Sequence, residues 1–148
     1  MKYLLTFVLA GFLGTPLWAT DPVEPPLIPI IRPAENVDLN EFLWINRPVI
    51  VFADSPADPS FIEQIELFER DLDPLRDRDV VVLTDTDPDA MSPARKQLRP
   101  RGFAMVLVAK DGAVSLRKPK PYTVRELTRV IDKMPDRQRE VRERRTTP

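Results

Sequence analysis

The chain has 148 residues, a formal net charge of −1, and neither cysteine nor histidine. The absence of cysteine excludes disulfide exchange and thiolate metal sites, and the absence of histidine removes the commonest general base and a common zinc ligand. This length is typical of a single domain.

The first 19 residues have the pattern of a secretory signal peptide. Lys2 supplies a positive start, a short apolar run follows, and Ala19 is a small residue suited to cleavage. The apolar run is too short to span a bilayer comfortably, because a spanning helix needs about 20 residues. We therefore expect a periplasmic or secreted protein with no stable membrane span after cleavage, with an uncleaved anchor as the alternative.

Residues 20–37 form a proline-rich segment, which predicts an extended arm or linker and not a helix. Its apolar residues, among them Ile30 and Ile31, would let it dock on the domain or pair as an edge strand. The folded domain is expected over residues 38–135, and it begins with a short helix capped by Asp38. Residues 136–148 are expected to be a charged tail, helical at first and then frayed.

Apolar runs predict two strands buried on both faces, at residues 49–52 and 80–83. Between them, Asp58 and Pro59 begin a helix. The buried stripe of this helix is expected to contain Phe61, Ile62, Ile65, Phe68 and Leu72.

The second half of the domain continues with a short helix that begins at Ser92 and ends before Pro100. Residues 103–108 form a third strand, and the turn at 110–112 leads into a fourth, antiparallel strand. Thr123 and Glu126 form a capping box at the start of an amphipathic helix that ends at Pro135.

The resulting order, β-α-β-α-β-β-α, is the thioredoxin arrangement of the α/β class. Two parallel strands followed by an antiparallel hairpin predict a four-stranded mixed sheet with helices on both faces. The expected order of the strands in space is second, first, third, fourth.

Three stretches resemble the family called domain of unknown function 4174. They are residues 42–48 (FLWINRP), residues 102–117, and residues 131–140 with Arg137 and Glu140. The resemblance covers about residues 41 to 143. It implies a thioredoxin-like, non-redox domain of small exported bacterial proteins, with a related domain in vertebrate sushi-repeat and matrix proteins, and it implies no catalytic residues.

Acidic residues follow both predicted parallel strands, whose carboxyl ends meet at one end of the sheet. Asp85, Asp87 and Asp89 are a candidate calcium or magnesium site, because these cations prefer several oxygen ligands. The pattern is no EF-hand, since Ala90 and Lys96 occupy the positions that need glycine and a bidentate acid. The interpretation that we favour is that these acids form turns and helix caps, and that no cofactor is bound.

Basic residues are expected at the same end of the sheet. The candidate ligand-binding residues are Asp54, Ser55, Asp58, Arg99, Arg101, Gly102, Lys118 and Lys120. Arg99 and Arg101 are expected either to pair with Asp54 or Asp85, or to form a basic rim with Arg117. Such a rim would suit a protein or peptide partner or an anionic envelope component, and a solvated loop is the alternative.

The sequence favours a non-redox binding or scaffold module over an enzyme. Ser55 follows the first predicted strand, where a nucleophile would lie, but no histidine is present to activate it. A cation-binding domain is one alternative, and a hydrolase or transferase without cysteine and histidine is another. Nucleic acid is not an expected partner of an exported protein.

Overall fold

The computed structural model describes residues 29–147. The predicted signal peptide and residues 20–28 of the predicted arm lie outside the described residues. The elements in chain order are β1 (Ile31–Pro33), a 3-10 helix (Leu39–Phe42), β2 (Arg47–Phe52), α1 (Pro59–Glu69), α2 (Asp73–Arg76), β3 (Val80–Asp85), α3 (Pro93–Leu98), β4 (Ala104–Val108), β5 (Val114–Lys118), α4 (Val124–Asp132) and α5 (Pro135–Thr146).

The sheet has the strand order β1-β3-β2-β4-β5. The predicted arrangement of four strands is confirmed, because β2 and β3 are parallel while β4 is antiparallel to both β2 and β5. The sheet also has a fifth strand, since β1 pairs in parallel with β3, with Ile31 opposite Val82. The predicted count of four was therefore too low, because part of the proline-rich segment completes the edge beside β3.

Two apolar layers cover the faces of the sheet. Val49 and Val51 point into the layer that contains residues of α1 and α4, and Ile50 and Phe52 point into the layer that contains residues of α3. These four side chains are completely buried. Burial of such a side chain contributes about 1.5–3 kcal/mol, and burial on both faces explains the continuous apolar run in the sequence.

The predicted α1 stripe was wrong at Ile62, and Leu72 lies beyond the end of α1 at Glu69. Ile62 is 45% exposed, whereas Gln64 is completely buried. The Gln64 amide donates to the carbonyl of Tyr122 at 2.9 Å and accepts from its N–H at 2.7 Å. These reciprocal bonds satisfy both ends of the amide, which removes the penalty of burying it.

The C-terminal residues form a longer helix than the sequence predicts. α4 ends at Asp132, and α5 then continues to Thr146 without the expected fraying. Arg137 is buried and donates to the carboxylate of Asp77 at 2.7 Å, which attaches α5 to the segment before β3. Across residues 29–147, no helix combines the length and apolar character needed to cross a membrane.

Candidate functional site

The candidate site lies at the carboxyl end of the sheet, where β2 and β3 end, β4 begins and β5 ends. The centre of this end is occupied by a buried ion pair. Arg95 of α3 lies 2.8 Å from the carboxylate of Asp85, and both side chains are almost inaccessible to solvent. Arg95 also donates to the carbonyl oxygen of Ala53 and lies over the ring of Phe52 at 5.3 Å.

Ser92 connects this ion pair to the beginning of α3. Its hydroxyl donates to Asp85 at 2.5 Å and accepts from the N–H of Arg95 at 3.1 Å, which caps the helix. The carboxylate of Asp85 is therefore neutralised by Arg95, not by Arg99 or Arg101, and the pairing expected from the sequence was wrong in its partner. Arg95 was missed, because its pairing with Asp85 depends on how α3 crosses the ends of the strands.

The acidic residues after β2 belong to a local turn. Asp58 caps α1 by accepting from the N–H of Ser60 at 2.8 Å and of Phe61 at 3.3 Å. The hydroxyl of Ser55 accepts from the N–H of Ala57 at 3.1 Å. Asp54 and Ser55 are exposed, so both remain accessible, but within this turn Ser55 contacts only a backbone amide and no base.

The acidic residues after β3 form another turn. One carboxylate oxygen of Asp87 accepts from the N–H groups of Asp89 and Ala90, as in an Asx turn. Among residues 29–147, no three acidic side chains are arranged to hold a metal ion. A cation site at Asp85, Asp87 and Asp89 stays a prediction, and it would require Asp85 to exchange Arg95 for the cation.

A basic cleft of about 510 Å³ lies beside this neutral centre. Arg99 is the C-cap of α3 in the left-handed conformation, with φ 46°, and its N–H donates to the carbonyl of Arg95. Arg117 of β5 donates to the carbonyl of Leu98 at 2.9 Å, which connects β5 to the end of α3. The cleft is lined by Leu98, Arg99, Arg101, Phe103, Ala104, Arg117 and Pro119.

Gly102 allows the chain to turn between Arg101 and the start of β4. It has φ 58°, in the region that favours glycine. Lys118, the last residue of β5, lies 5.1 Å from the centre of the Tyr122 ring. Lys120 is exposed in the loop that follows β5. Of the candidate ligand-binding residues, Arg99 and Arg101 line this cleft, whereas Gly102, Asp54, Ser55 and Asp58 do not.

A second groove, of about 580 Å³, shares Arg99 with the first and adds Lys96, which the sequence analysis did not select as a binding residue. We call Lys96, Arg99, Arg101, Arg117, Lys118 and Lys120 the basic cluster. Within the part of the chain that the structure describes, none of the six forms an ion pair. Hydrogen bonds from Thr123 lower the pKa of Glu126, and nearby Lys118 adds a smaller contribution.

The opposite end of the sheet contains an ion-pair network. Arg47, at the start of β2, is completely buried and lies 2.5 Å from Asp136 and 2.9 Å from Glu140. Lys110 lies 2.8 Å from both Asp79 and Glu140. Burial raises the pKa of Glu140, but hydrogen bonds from Lys110 and Arg47 outweigh this effect, so the net pKa falls to about 2.

Comparison with solved structures places the chain among thioredoxin-like folds. A reduced 2-Cys peroxiredoxin of Plasmodium vivax matches with a TM-score of 0.55 and 15% identity over 72% of this chain and 85% of that one. Thioredoxin peroxidase I of Plasmodium yoelii matches with a TM-score of 0.53 and 17% identity over 70% and 80%. These likenesses show the shared fold, and the chain has none of the cysteines that the first of these names implies.

A search of curated proteins found no significant match. A family model does match: the domain of unknown function DUF4174 covers residues 38–140, which is more than half of the chain. The matched segment contains β2, the Asp85–Arg95 pair, the whole basic cluster and most of the ion-pair network. The chain therefore belongs to the DUF4174 family.

Proposed function

We propose that the protein is an exported, non-redox binding module that takes an anionic ligand at the basic cluster. The observation that carries this proposal is the cleft lined by Arg99, Arg101 and Arg117, whose guanidinium groups form no ion pair with any residue in 29–147. Unpaired arginines around a cleft can donate bidentate hydrogen bonds to carboxylate, sulfate or phosphate groups.

The neighbouring ion pair supports binding in preference to chemistry. Asp85 is satisfied by Arg95 and Ser92, so it offers no free base beside the cleft. The same pair removes negative charge that would otherwise weaken the field of the basic cluster. Phe103 and Pro119 supply apolar walls for the uncharged parts of a ligand.

Export is part of the proposal and rests on the signal-like residues 1–19. A periplasmic or secreted protein would meet acidic proteins, peptides and envelope polymers instead of nucleic acid. The relation to vertebrate matrix proteins stays a prediction from resemblance alone. Fractionation of cells that express the full chain tests export, because a cleaved product outside the cytoplasm is expected and a wholly cytoplasmic, uncleaved protein would contradict it.

Titration with fluorescein-labelled polyglutamate and dextran sulfate tests anion binding. We expect at least one polyanion to bind, with an affinity that weakens as salt is added, because screening reduces each contact. The variant R99Q/R101Q/R117Q should bind about tenfold more weakly or worse, since loss of about 1.4 kcal/mol already gives a factor of ten.

The matched control is R125Q/R129Q/R142Q, which removes three exposed positive charges elsewhere. It changes the net charge by the same amount, so it should retain wild-type affinity within about twofold if position matters more than net charge. Equal losses in the two triple variants, or no binding of either polyanion by the wild type, would reject the proposed site.

A further inference from the structure

We propose that the anionic ligand is an extended acidic peptide that adds a strand to the free edge of β5. This inference rests on the proposed function and names the chemical class of its ligand. Among residues 29–147, β5 is the last strand of the sheet and pairs only with β4. Every second residue of an antiparallel edge strand directs its N–H and C=O groups away from the sheet, where another strand can bind them.

The basic cluster lies along this same strand. Arg117 and Lys118 are the last two residues of β5, and Lys120 follows in the next loop. Arg117 also lines the cleft that contains Arg99 and Arg101. A strand that pairs with β5 would run beside Arg117 and Lys118 and lead towards Lys120, and Arg117 connects this edge to the cleft that contains Arg99 and Arg101. An acidic peptide would therefore gain both ladder hydrogen bonds and charge pairing.

The other edge of the sheet is a poorer docking strand. β1 has only three residues, and Pro33 at its end lacks an N–H group. β5 has five residues and no proline, and three of them are exposed. Ser115 is an extra residue opposite the Leu107–Val108 step, which makes a β-bulge. The bulge and the charges of Arg117 and Lys118 disfavour non-specific pairing with uncharged strands.

Charge also selects against a second copy of the chain on this edge. β5 holds two positive charges and no negative charge, so pairing of two β5 strands would bring four cations into one short ribbon. An acidic strand would instead place carboxylates beside Arg117 and Lys118. The edge is therefore best suited to a partner that carries carboxylates.

A groove of about 410 Å³ lies at the beginning of β5. Trp44 and Met134 are apolar residues of its lining, which also contains the charged residues Asp111, Asp136 and Arg139. Trp44 is 74% exposed. The distance from Val114 to Lys118 is about 14 Å for an extended strand, which is four residues of a bound peptide. The preferred peptide therefore has acidic residues at one end and a large apolar residue about four positions away.

The test uses an acetylated peptide of about eight alternating glutamate and threonine residues with leucine at one end, long enough to cover β5. Binding to the full chain is followed by fluorescence anisotropy, and amide hydrogen exchange is followed by NMR with and without peptide. We expect exchange to slow at the outward amides of β5 but not in β1, which serves as the internal control.

Two matched peptides separate strand pairing from charge. One has the same sequence with N-methyl groups on two neighbouring central residues, so that neither of its edges can complete a ladder. It should bind about tenfold more weakly or worse, because it keeps the charges but loses backbone donors. The other replaces leucine by serine, and its affinity should fall for the wild type but not for Trp44→Ala.

The outcomes distinguish this inference from the proposed function. If the N-methylated peptide and dextran sulfate bind as well as the parent peptide, and β5 amides are not protected, strand pairing is rejected while the anion site stands. If β5 is protected without peptide and only at high protein concentration, the occupant is a second copy and the inference is wrong. If no polyanion and no peptide binds, both proposals fail.

Discussion

At the end of the sheet where β2 begins, Arg47 is buried and its charge is shared by Asp136 and Glu140 of α5. At the carboxyl end, the six cations of the basic cluster form no ion pair with a described residue, and only Arg95 is matched by an acid. Both ends lie on the same strands and are built from similar residues. They differ in whether the chain itself supplies the opposite charge.

The difference indicates a division of work within one fold. The ion-pair network attaches α5 to the domain, since α5 is strongly polar and has Arg137 as its buried residue. Charge at that end is used for stability. The cations of the basic cluster have no acidic partner among residues 29–147, so like-charge repulsion is expected to raise the free energy of the folded chain, and an anionic ligand would compensate their charge.

Of the substitutions considered, removal of Arg47 should cause the largest loss of stability. Arg47→Met keeps much of the side-chain volume but leaves Asp136 and Glu140, which are 30% and 21% exposed, without their buried partner. We expect the free energy of unfolding to fall by about 2–4 kcal/mol, because Asp136 loses its ion pair with Arg47 and Glu140 keeps only Lys110 and Arg137, while both carboxylates are largely shielded from water. Urea unfolding followed by circular dichroism measures this change.

The control for Arg47 is Arg70→Met, which removes an exposed pair with Glu66 one helical turn away. Exposed pairs of this kind contribute about 0.5 kcal/mol or less. A similar loss of unfolding free energy in both variants would show that the burial of Arg47 does not increase the contribution of the ion-pair network to stability.

Asp85→Asn should have the next largest effect, because it leaves the buried guanidinium of Arg95 without a carboxylate. We expect a loss of about 2–3 kcal/mol in urea unfolding. Asp87→Asn is the control, since Asp87 is exposed and bonds only to backbone amides of its own turn. If the two variants are equally stable, the Asp85–Arg95 pair does not stabilise the carboxyl end.

The pH dependence of stability sharpens the comparison at Glu140. Its pKa of about 2 in the folded chain lies below the ordinary value of 4.5, so its contribution is fully present above pH 4.5 and is lost as the pH falls towards 2. Glu140→Gln should cost about 1–2 kcal/mol at pH 7 and flatten this acid loss, because the neutral amide cannot titrate. Urea midpoints at intervals between pH 7 and 2 measure it.

Glu143→Gln is the matched control on the same helix, because Glu143 is exposed and its carboxylate forms no ion pair within residues 29–147. Its curve should keep the acid loss of the wild type. Some acid loss should persist in both variants, since the hydrogen bond from Arg78 lowers the pKa of Asp132 as well. An unchanged acid loss in Glu140→Gln would contradict the role given to Arg47 and Lys110.

The strands were predictable because their sequence signal is local. Residues 49–52 and 80–83 are unbroken apolar runs, and such runs are typical of a strand covered on both faces. β1 gave no such signal, since it has three residues and ends in proline. Its pairing depends on a vacant edge beside β3, which exists only after the sheet has formed.

Sequence reasoning predicted which end of the sheet carries the basic residues, but not which arginine pairs with Asp85. Strand order alone brings Arg99, Arg101 and Lys118 to one end of the sheet. Asp85 pairs with Arg95 and not with Arg99 because of the way α3 crosses the ends of the strands. The hydrophobic pattern of the sequence does not predict this orientation. The partners of Arg47 lie 89 and 93 positions along the chain, so no local pattern connects them.

The smallest expected effect on stability is that of substitutions in the basic cluster. It tests whether the cations at the carboxyl end, unlike those of the ion-pair network, are dispensable for stability. Arg99→Gln/Arg101→Gln should change the free energy of unfolding by no more than about 0.5 kcal/mol, because neither guanidinium has an acidic partner among residues 29–147. Arg78→Gln is the contrast, since Arg78 donates twice to Asp132 at 2.8 Å and should lose about 1–2 kcal/mol. Urea unfolding at low and high salt measures both. Because added salt screens the expected like-charge repulsion, it should stabilise the wild type more than the double variant. A loss in the double variant as large as that in Arg78→Gln would show that the carboxyl end, like the opposite end, uses its charges for stability and has none to spare for a ligand.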